Sequence, residues 1–184
     1  DVTIQYSASG SADNGVVMMS GSDWVNFTDL TLKSSNTNTY GYGRVVDMQS
    51  GSENCSFDNC ILQGIQSTYT SNIQTVFYSY GNNHNLTVNG CEILNGSYGF
   101  YSYGGGTTAR NENLTFENNY CNNNYYYGTY CYYQDGLEYN GNTVTADSVQ
   151  YTYGYATIFY YCDNFNIVGN TIGATANYGY SYPM

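Results

Sequence analysis

The sequence predicts an all-β fold: a single-chain parallel β-helix, or solenoid, of about six coils. Three observations carry this expectation. A template recurs six times without gaps: apolar at offset 0, apolar at +2, a small or amide residue at +5, and apolar at +7. Its copies begin at Val25, Cys55, Leu86, Leu114, Leu137 and Phe165, with spacings of 30, 31, 28, 23 and 28 residues. A period in this range marks a repeat architecture. Within each copy, the alternation at offsets 0, +1 and +2 is the period-2 signature of a half-buried strand. Finally, the composition combines 25 Tyr and 21 Gly with only 9% charged residues. Tyr, Thr, Val, Ile and Phe suit pleated, half-buried surfaces, and Asn and Gly suit turns that need positive φ. A β-sandwich does not explain a fixed apolar spacing at this period, and a propeller blade needs about 40–50 residues.

Taken in order, the template supplies three columns. The +2 positions are Phe27, Phe57, Val88, Phe116, Tyr139 and Ile167. The +7 positions are Leu32, Leu62, Ile93, Cys121, Val144 and Ile172. The +5 positions are Leu30, Cys60, Cys91, Asn119, Asn142 and Asn170. Stacked amides hydrogen-bond one another, so the last three are expected to form an Asn ladder. Leu30, Cys60 and Cys91 are expected to be packed rather than hydrogen-bonded. A second, aromatic strand follows each template. It runs through Val16–Met19, Arg44–Met48, Thr75–Tyr78, Gly99–Tyr103, Gly128–Tyr132 and Ala156–Tyr160. Its alignment slips by a residue or two, so its inward face is not assigned from sequence. Ile4 lies 28 residues before Leu32 and fits the +7 column of an earlier coil, and Tyr178–Tyr182 starts a further aromatic strand. Neither end offers a polar cap, which solenoids require. The expectation is one β-helix domain over residues 1–184, an internal slice of a longer chain.

The net charge of −11, with Lys33, Arg44 and Arg110 the only Lys or Arg residues, argues against nucleic acid, which needs clustered cations. It also disfavours anionic membrane surfaces and strongly anionic substrates. No apolar run is long enough to span a membrane. Of six Cys, four occupy apolar columns. Two readings stand for them: small buried thiols, or a disulfide between Cys60 and Cys91, which would lie about 4.8 Å apart as stacked residues. The low-Lys, acidic, Asn- and Tyr-rich profile points to an extracellular or cell-surface location, where such a bridge persists.

The Asn-hydrophobic-Thr-hydrophobic strand, the Asn-x-hydrophobic turn of Gly169-Asn170-Thr171-Ile172 and the following Tyr-Gly-hydrophobic strand resemble the right-handed parallel β-helix, or pectate-lyase-like, superfamily. The resemblance covers nearly the whole chain and implies a right-handed coil. It does not imply one activity, because the superfamily contains lyases, hydrolases, tailspikes and non-catalytic surface proteins. The composition further resembles β-helical repeat regions of large secreted bacterial surface proteins.

Lyases of that superfamily use an Arg or Lys base with acidic calcium ligands. No acidic cluster at such spacing accompanies Arg44 or Arg110, and both read as solvated or locally paired. Asp47 and Asp135 should lie on the order of 14 Å apart, too far for glycosidase geometry. No catalytic residue is assigned. His84 is the only His and reads as an exposed turn residue, so no metal site is assigned. No cofactor is indicated, although scattered turn Asp, Asn and carbonyl groups could bind calcium weakly. Sequons at Asn26, Asn54, Asn85, Asn95 and Asn113 have two readings, a by-product of Asn and Thr at outward strand positions or glycosylation. The surface expected to carry function is aromatic: Tyr78, Tyr80, Tyr101, Tyr103, Tyr130 and Tyr132, whose flat faces and polar tips suit sugars or protein partners. The alternative is that half of these point inward.

The leading expectation is a non-catalytic structural or adhesive module of a bacterial surface filament or adhesin. Its partners would be other copies or flanking domains, with glycans as a further possibility. The alternative is a carbohydrate-active enzyme (a polysaccharide lyase or glycoside hydrolase) or a carbohydrate-binding module of the same fold.

Overall fold

A computed structural model describes residues 2–38, 40–145, 151 and 154–173. Tyr178–Tyr182 lies outside the described residues. The chain winds as a parallel β-solenoid of about six coils, each contributing a short strand to three long sheets. The first sheet stacks Asn26–Thr28, Ser56–Asp58, Thr87–Asn89, Thr115–Glu117, Glu138–Asn140 and Asn166–Val168. The second stacks Val2–Tyr6, Leu30–Ser34, Ile61–Gln63, Glu92–Leu94, Tyr120–Asn122, Thr143–Thr145 and Thr171–Ile172. The third, aromatic sheet stacks Val17–Ser20, Val46–Gln49, Phe77–Tyr80, Tyr98–Tyr103, Tyr127–Tyr132 and Tyr155–Tyr160.

The register reproduces the sequence columns. Phe27, Phe57, Val88, Phe116, Tyr139 and Ile167 are successive partners in the first sheet. Leu32, Leu62, Ile93, Cys121, Val144 and Ile172 are successive partners in the second, and Ile4 pairs with Leu32 at their head. The template itself is two strands, not one. A left-handed residue at +4 bends each copy: Asp29, Asn59, Gly90, Asn118, Gly141 and Gly169 all have φ between 53° and 69°. Another sits at −1, in Trp24, Asn54, Asn85, Asn113, Gly136 and Asn164. Asn, Asp and Gly dominate both corners because they tolerate this conformation. Gly90 has a second reason, since a Cβ there would meet Asn59 Oδ1 at 2.6 Å.

The interior is filled by like side chains stacked on like, with an aromatic spine among them. Ring centroids run from Phe27 to Phe57 (4.8 Å), Phe77 (4.9 Å), Phe100 (5.2 Å), Phe116 (4.5 Å), Tyr139 (5.4 Å) and Phe159 (5.1 Å). The Tyr139 hydroxyl is buried and lies 3.2 Å from Thr129 Oγ1, which itself donates to Thr157 Oγ1 at 3.0 Å. A buried hydroxyl is thereby satisfied.

The Asn ladder at +5 is present. The Asn119 N–H donates to Asn142 Oδ1 (2.9 Å), and the Asn142 N–H donates to Asn170 Oδ1 (2.8 Å). Each side-chain amide also donates down the axis, Asn119 to the Val88 carbonyl and Asn142 to the Phe116 carbonyl. The reading of Cys60 and Cys91 as small buried thiols fits the structure, but the expectation that they are packed rather than hydrogen-bonded does not. They are hydrogen-bonded: the Cys60 N–H donates to Cys91 Sγ at 3.4 Å, and the two thiols point at the carbonyls of Phe27 (3.5 Å) and Phe57 (3.3 Å). They therefore occupy the places of the Asn amides. They also form no disulfide, and all six Cys are free thiols. Stacking does bring the two side chains into contact, and each thiol is directed at a backbone carbonyl of the preceding coil.

Removing an amide from this ladder leaves buried groups unpaired. Asn142→Ala is expected to destabilise the fold by about 1–3 kcal/mol for each group orphaned, the Asn119 N–H and the Phe116 carbonyl. Asn142→Cys is expected to lose less, because Cys91 already fills that role. Urea unfolding of the two variants checks the order.

Candidate functional site

The aromatic sheet settles which way its side chains face. Partners in register are Met18, Asp47, Tyr78, Tyr101, Tyr130 and Ile158 in one column, and Ser20, Gln49, Tyr80, Tyr103, Tyr132 and Tyr160 in another. The intervening columns carry core residues: Val17, Val46, Phe77, Phe100 and Thr129, then Met19, Met48, Ser79, Ser102 and Cys131. All six candidate tyrosines therefore share the face turned away from the core, which follows from strand alternation.

They form a grid. Along the axis, Tyr78 and Tyr101 are 5.1 Å apart at 13°, and Tyr101 and Tyr130 are 5.0 Å apart at 6°. In the outer column, Tyr80 and Tyr103 are 5.5 Å apart at 21°, and Tyr103 and Tyr132 are 4.8 Å apart at 3°. Across the strand, the pairs Tyr78–Tyr80, Tyr101–Tyr103 and Tyr130–Tyr132 are parallel within 10° at about 6 Å. These are offset-stacking separations. The middle rings, Tyr101 and Tyr103, have a parallel neighbour on both sides along the axis, so the grid presents ring edges and hydroxyls more than free faces.

The grid has a built terminus. The Arg44 guanidinium lies 3.4 Å over the Tyr78 ring and pairs with Asp47, the preceding member of that column, at 3.0 Å. Its Nε donates to the Asn72 carbonyl. Beyond the other side, further tyrosines extend the cluster: Tyr98 packs edge-on against Tyr101, Tyr126, Tyr127 and Tyr130. Burial pushes the phenols of Tyr78, Tyr98, Tyr101 and Tyr130 up from their ordinary value, neighbouring phenols add to it, and at Tyr78 the Arg44 guanidinium opposes the rise. Tyr132 is pushed up to about 12 by desolvation and by its contact with Tyr133.

The other candidates have structural employment. Arg110 pairs with Asp163 at 2.9 Å and donates to the carbonyls of Gln134 and Tyr161, strapping two coils together. Both Arg are thus locally paired. His84 is half-buried rather than exposed, and its Nδ1 accepts the Glu112 N–H at 3.2 Å. The Cys91 contact draws the Cys60 thiol down to about 7, while that contact and burial push Cys91 far above the usual thiol range. Asn54, Asn85 and Asn113 are corner residues, not strand residues. Their amides form an exposed ladder, with Asn85 donating to Asn54 and Asn113 to Asn85 at 2.9 Å each.

Two further columns escaped sequence reasoning. At −3, Ser52, Asn83, Asn111 and Gln134 form a second buried polar ladder. The Ser52 N–H donates to Asn83 Oδ1 and the Asn83 N–H to Asn111 Oδ1. Asn83 and Asn111 also donate to Ser79 and Ser102 beneath the aromatic sheet. At −2, Asp23, Glu53, His84, Glu112, Asp135 and Asp163 are partners in register, giving an acidic line down one corner. Extending the template three residues upstream would have found both. Among the described residues, no three His, Cys, Asp or Glu side chains gather as metal ligands, and no helix is long and apolar enough to cross a membrane.

No protein-family profile matches the chain, and neither a curated protein nor a solved structure matches it.

The raised phenols couple pH to stability. A folded-state value above the ordinary 10.0 means the folded chain holds protons that the unfolded chain releases. Stability is therefore full below about pH 10 and falls as pH rises through the folded values. Phenolate absorbance and circular dichroism, followed together in an alkaline titration, should change in one transition above that pH. Free ionisation of the grid near pH 10 with the fold intact would refute the desolvation argument.

Proposed function

We propose that this chain is a non-catalytic, extracellular structural or adhesive module, a stiff segment of a bacterial surface filament or adhesin, within the pectate-lyase-like superfamily. Its partners are further coils of the same protein or other copies. The observation that carries this reading is the state of the outermost described coils. The strand Val2–Tyr6 is exposed along its whole length and, among the described residues, pairs only with Leu30–Ser34. Trp24 is 76% exposed at the same end. At the other, the core-column residues Phe165, Ile167 and Ile172 are exposed. Exposed apolar columns and a strand edge with no second partner among the described residues invite another strand in parallel register, and each coil already shows the chemistry such an addition would use.

Ile4 heads the +7 column on the exposed strand, so Ile4→Lys places a charge where an added coil would pack. Sedimentation velocity over a concentration series should show end-on association of the parent chain. The variant should weaken it by about tenfold or more, since burying one Ile is worth about 1.5–3 kcal/mol. A parent chain that remains monomeric at every concentration, and does so equally with added flanking coils, would sink the reading.

The outward Tyr grid supports a second reading, a carbohydrate-binding module. Tyr80, 45% exposed, and its column neighbours offer hydroxyls and ring edges to a glycan. Titration with neutral and acidic glycans, read by Tyr fluorescence, should then give saturable changes that Tyr103→Ala removes. Flat titrations across the panel would eliminate it.

A further inference from the structure

We propose that the outward tyrosine column is a site of oxidative cross-linking, in which a peroxide-driven one-electron oxidant of the peroxidase class joins Tyr103 to Tyr132 as dityrosine. The product is a covalent staple between consecutive coils. Tyr103 and Tyr132 are register partners on neighbouring strands. Their rings lie 4.8 Å apart and 3° from parallel, the closest and flattest contact between coils in the grid. The column reaches water at both sides of this pair, because Tyr80 is 45% and Tyr160 51% exposed. Both are within stacking distance of it, Tyr80 of Tyr103 at 5.5 Å and Tyr160 of Tyr132 at 5.6 Å. A radical formed at either edge therefore has a continuous ring path to the pair.

The inner column is less suited. Arg44 covers one face of Tyr78 at 3.4 Å, so that ring has a guanidinium where a coupling partner would lie. Tyr78 is itself buried, so its hydroxyl has poor access to water as a proton acceptor.

The chemistry balances. Each phenol gives one electron to the oxidant and its hydroxyl proton to water. The two phenoxyl radicals couple through carbons ortho to their oxygens, forming one C–C bond. Each ring then moves its ortho hydrogen to oxygen and regains aromaticity. In sum, two tyrosines lose two hydrogens, and one hydrogen peroxide is reduced to two waters.

Tyr40 and Tyr69 are an internal control. Tyr40 is 67% exposed, but the two rings meet edge-on at 5.7 Å and 72°. Exposure without parallel stacking should not direct coupling. The test is limited oxidation of dilute, folded chain by peroxidase and hydrogen peroxide, followed by denaturing electrophoresis, dityrosine fluorescence and mass mapping of digests. The expected product is a monomer lighter by two hydrogens, with peptides holding Tyr103 and Tyr132 linked. Tyr103→Phe and Tyr132→Phe, which keep the ring stack, should each abolish that link. Tyr40→Phe should leave it intact, and parent chain oxidised in denaturant should lose it. The proposal is overturned by a dominant link at Tyr40–Tyr69 or Tyr126–Tyr127. It is overturned equally by dityrosine found only between chains, or by the same product pattern in folded and denatured protein.

Discussion

The structure depends on parallel, in-register stacking of coils about one strand spacing apart. Backbone hydrogen bonds between coils fix that spacing. Once fixed, every side chain sits on its counterpart from the preceding coil. Apolar residues become continuous columns, rings become stacks and amides become ladders. The left-handed corners at −1 and +4 recur in all six copies because a coil that turned elsewhere would break register with both neighbours. Length variation is consequently pushed into connections between sheets, such as residues 105–109, outside the stacked columns.

Stacking also creates a polar problem at the corners. Backbone groups there face the interior and need partners, since a buried unpaired group is costly. Two ladders supply them, Asn119–Asn142–Asn170 on one corner and Ser52–Asn83–Asn111–Gln134 on another. Cys60 and Cys91 show how little the chemistry must be retained. A thiol at the right height accepts an N–H from the preceding coil and points at a carbonyl of that same coil. What the position demands is a short side chain that can do both, and Asn and Cys each meet it.

The charges follow the same logic. With so few cations, each Arg is placed where it spans elements: Arg44 closes the tyrosine grid and Arg110 ties two coils through Asp163. The acidic line from Asp23 to Asp163 is tolerated because it runs along a solvent-facing corner, where water and salt screen like charges. Exposed apolar residues at the outermost described coils, an acidic corner and an aromatic face are the surfaces on which the proposed scaffold role rests.

The sequence by itself determined the coil. The apolar spacing at offsets 0, +2 and +7 is periodic along the chain, so the fold class, the six copies, the core columns, the register of Ile4 on Leu32 and the Asn ladder were all legible. The sequence left both Arg residues as either solvated or locally paired, and the structure supplies their partners, Asp47 and Asp163. Tertiary structure alone decided how the columns are used. The aromatic strand carries Tyr on one face and Phe, Ser, Thr and Cys on the other, so polarity does not distinguish its faces, and only strand pairing places Tyr78, Tyr80, Tyr101, Tyr103, Tyr130 and Tyr132 together on the face turned away from the core. The thiol direction at Cys60 and Cys91 is a rotamer property, which spacing does not encode. The polar ladder at −3 and the acidic line at −2 gain meaning only when residues about 28 positions apart in sequence become neighbours one strand spacing apart in space.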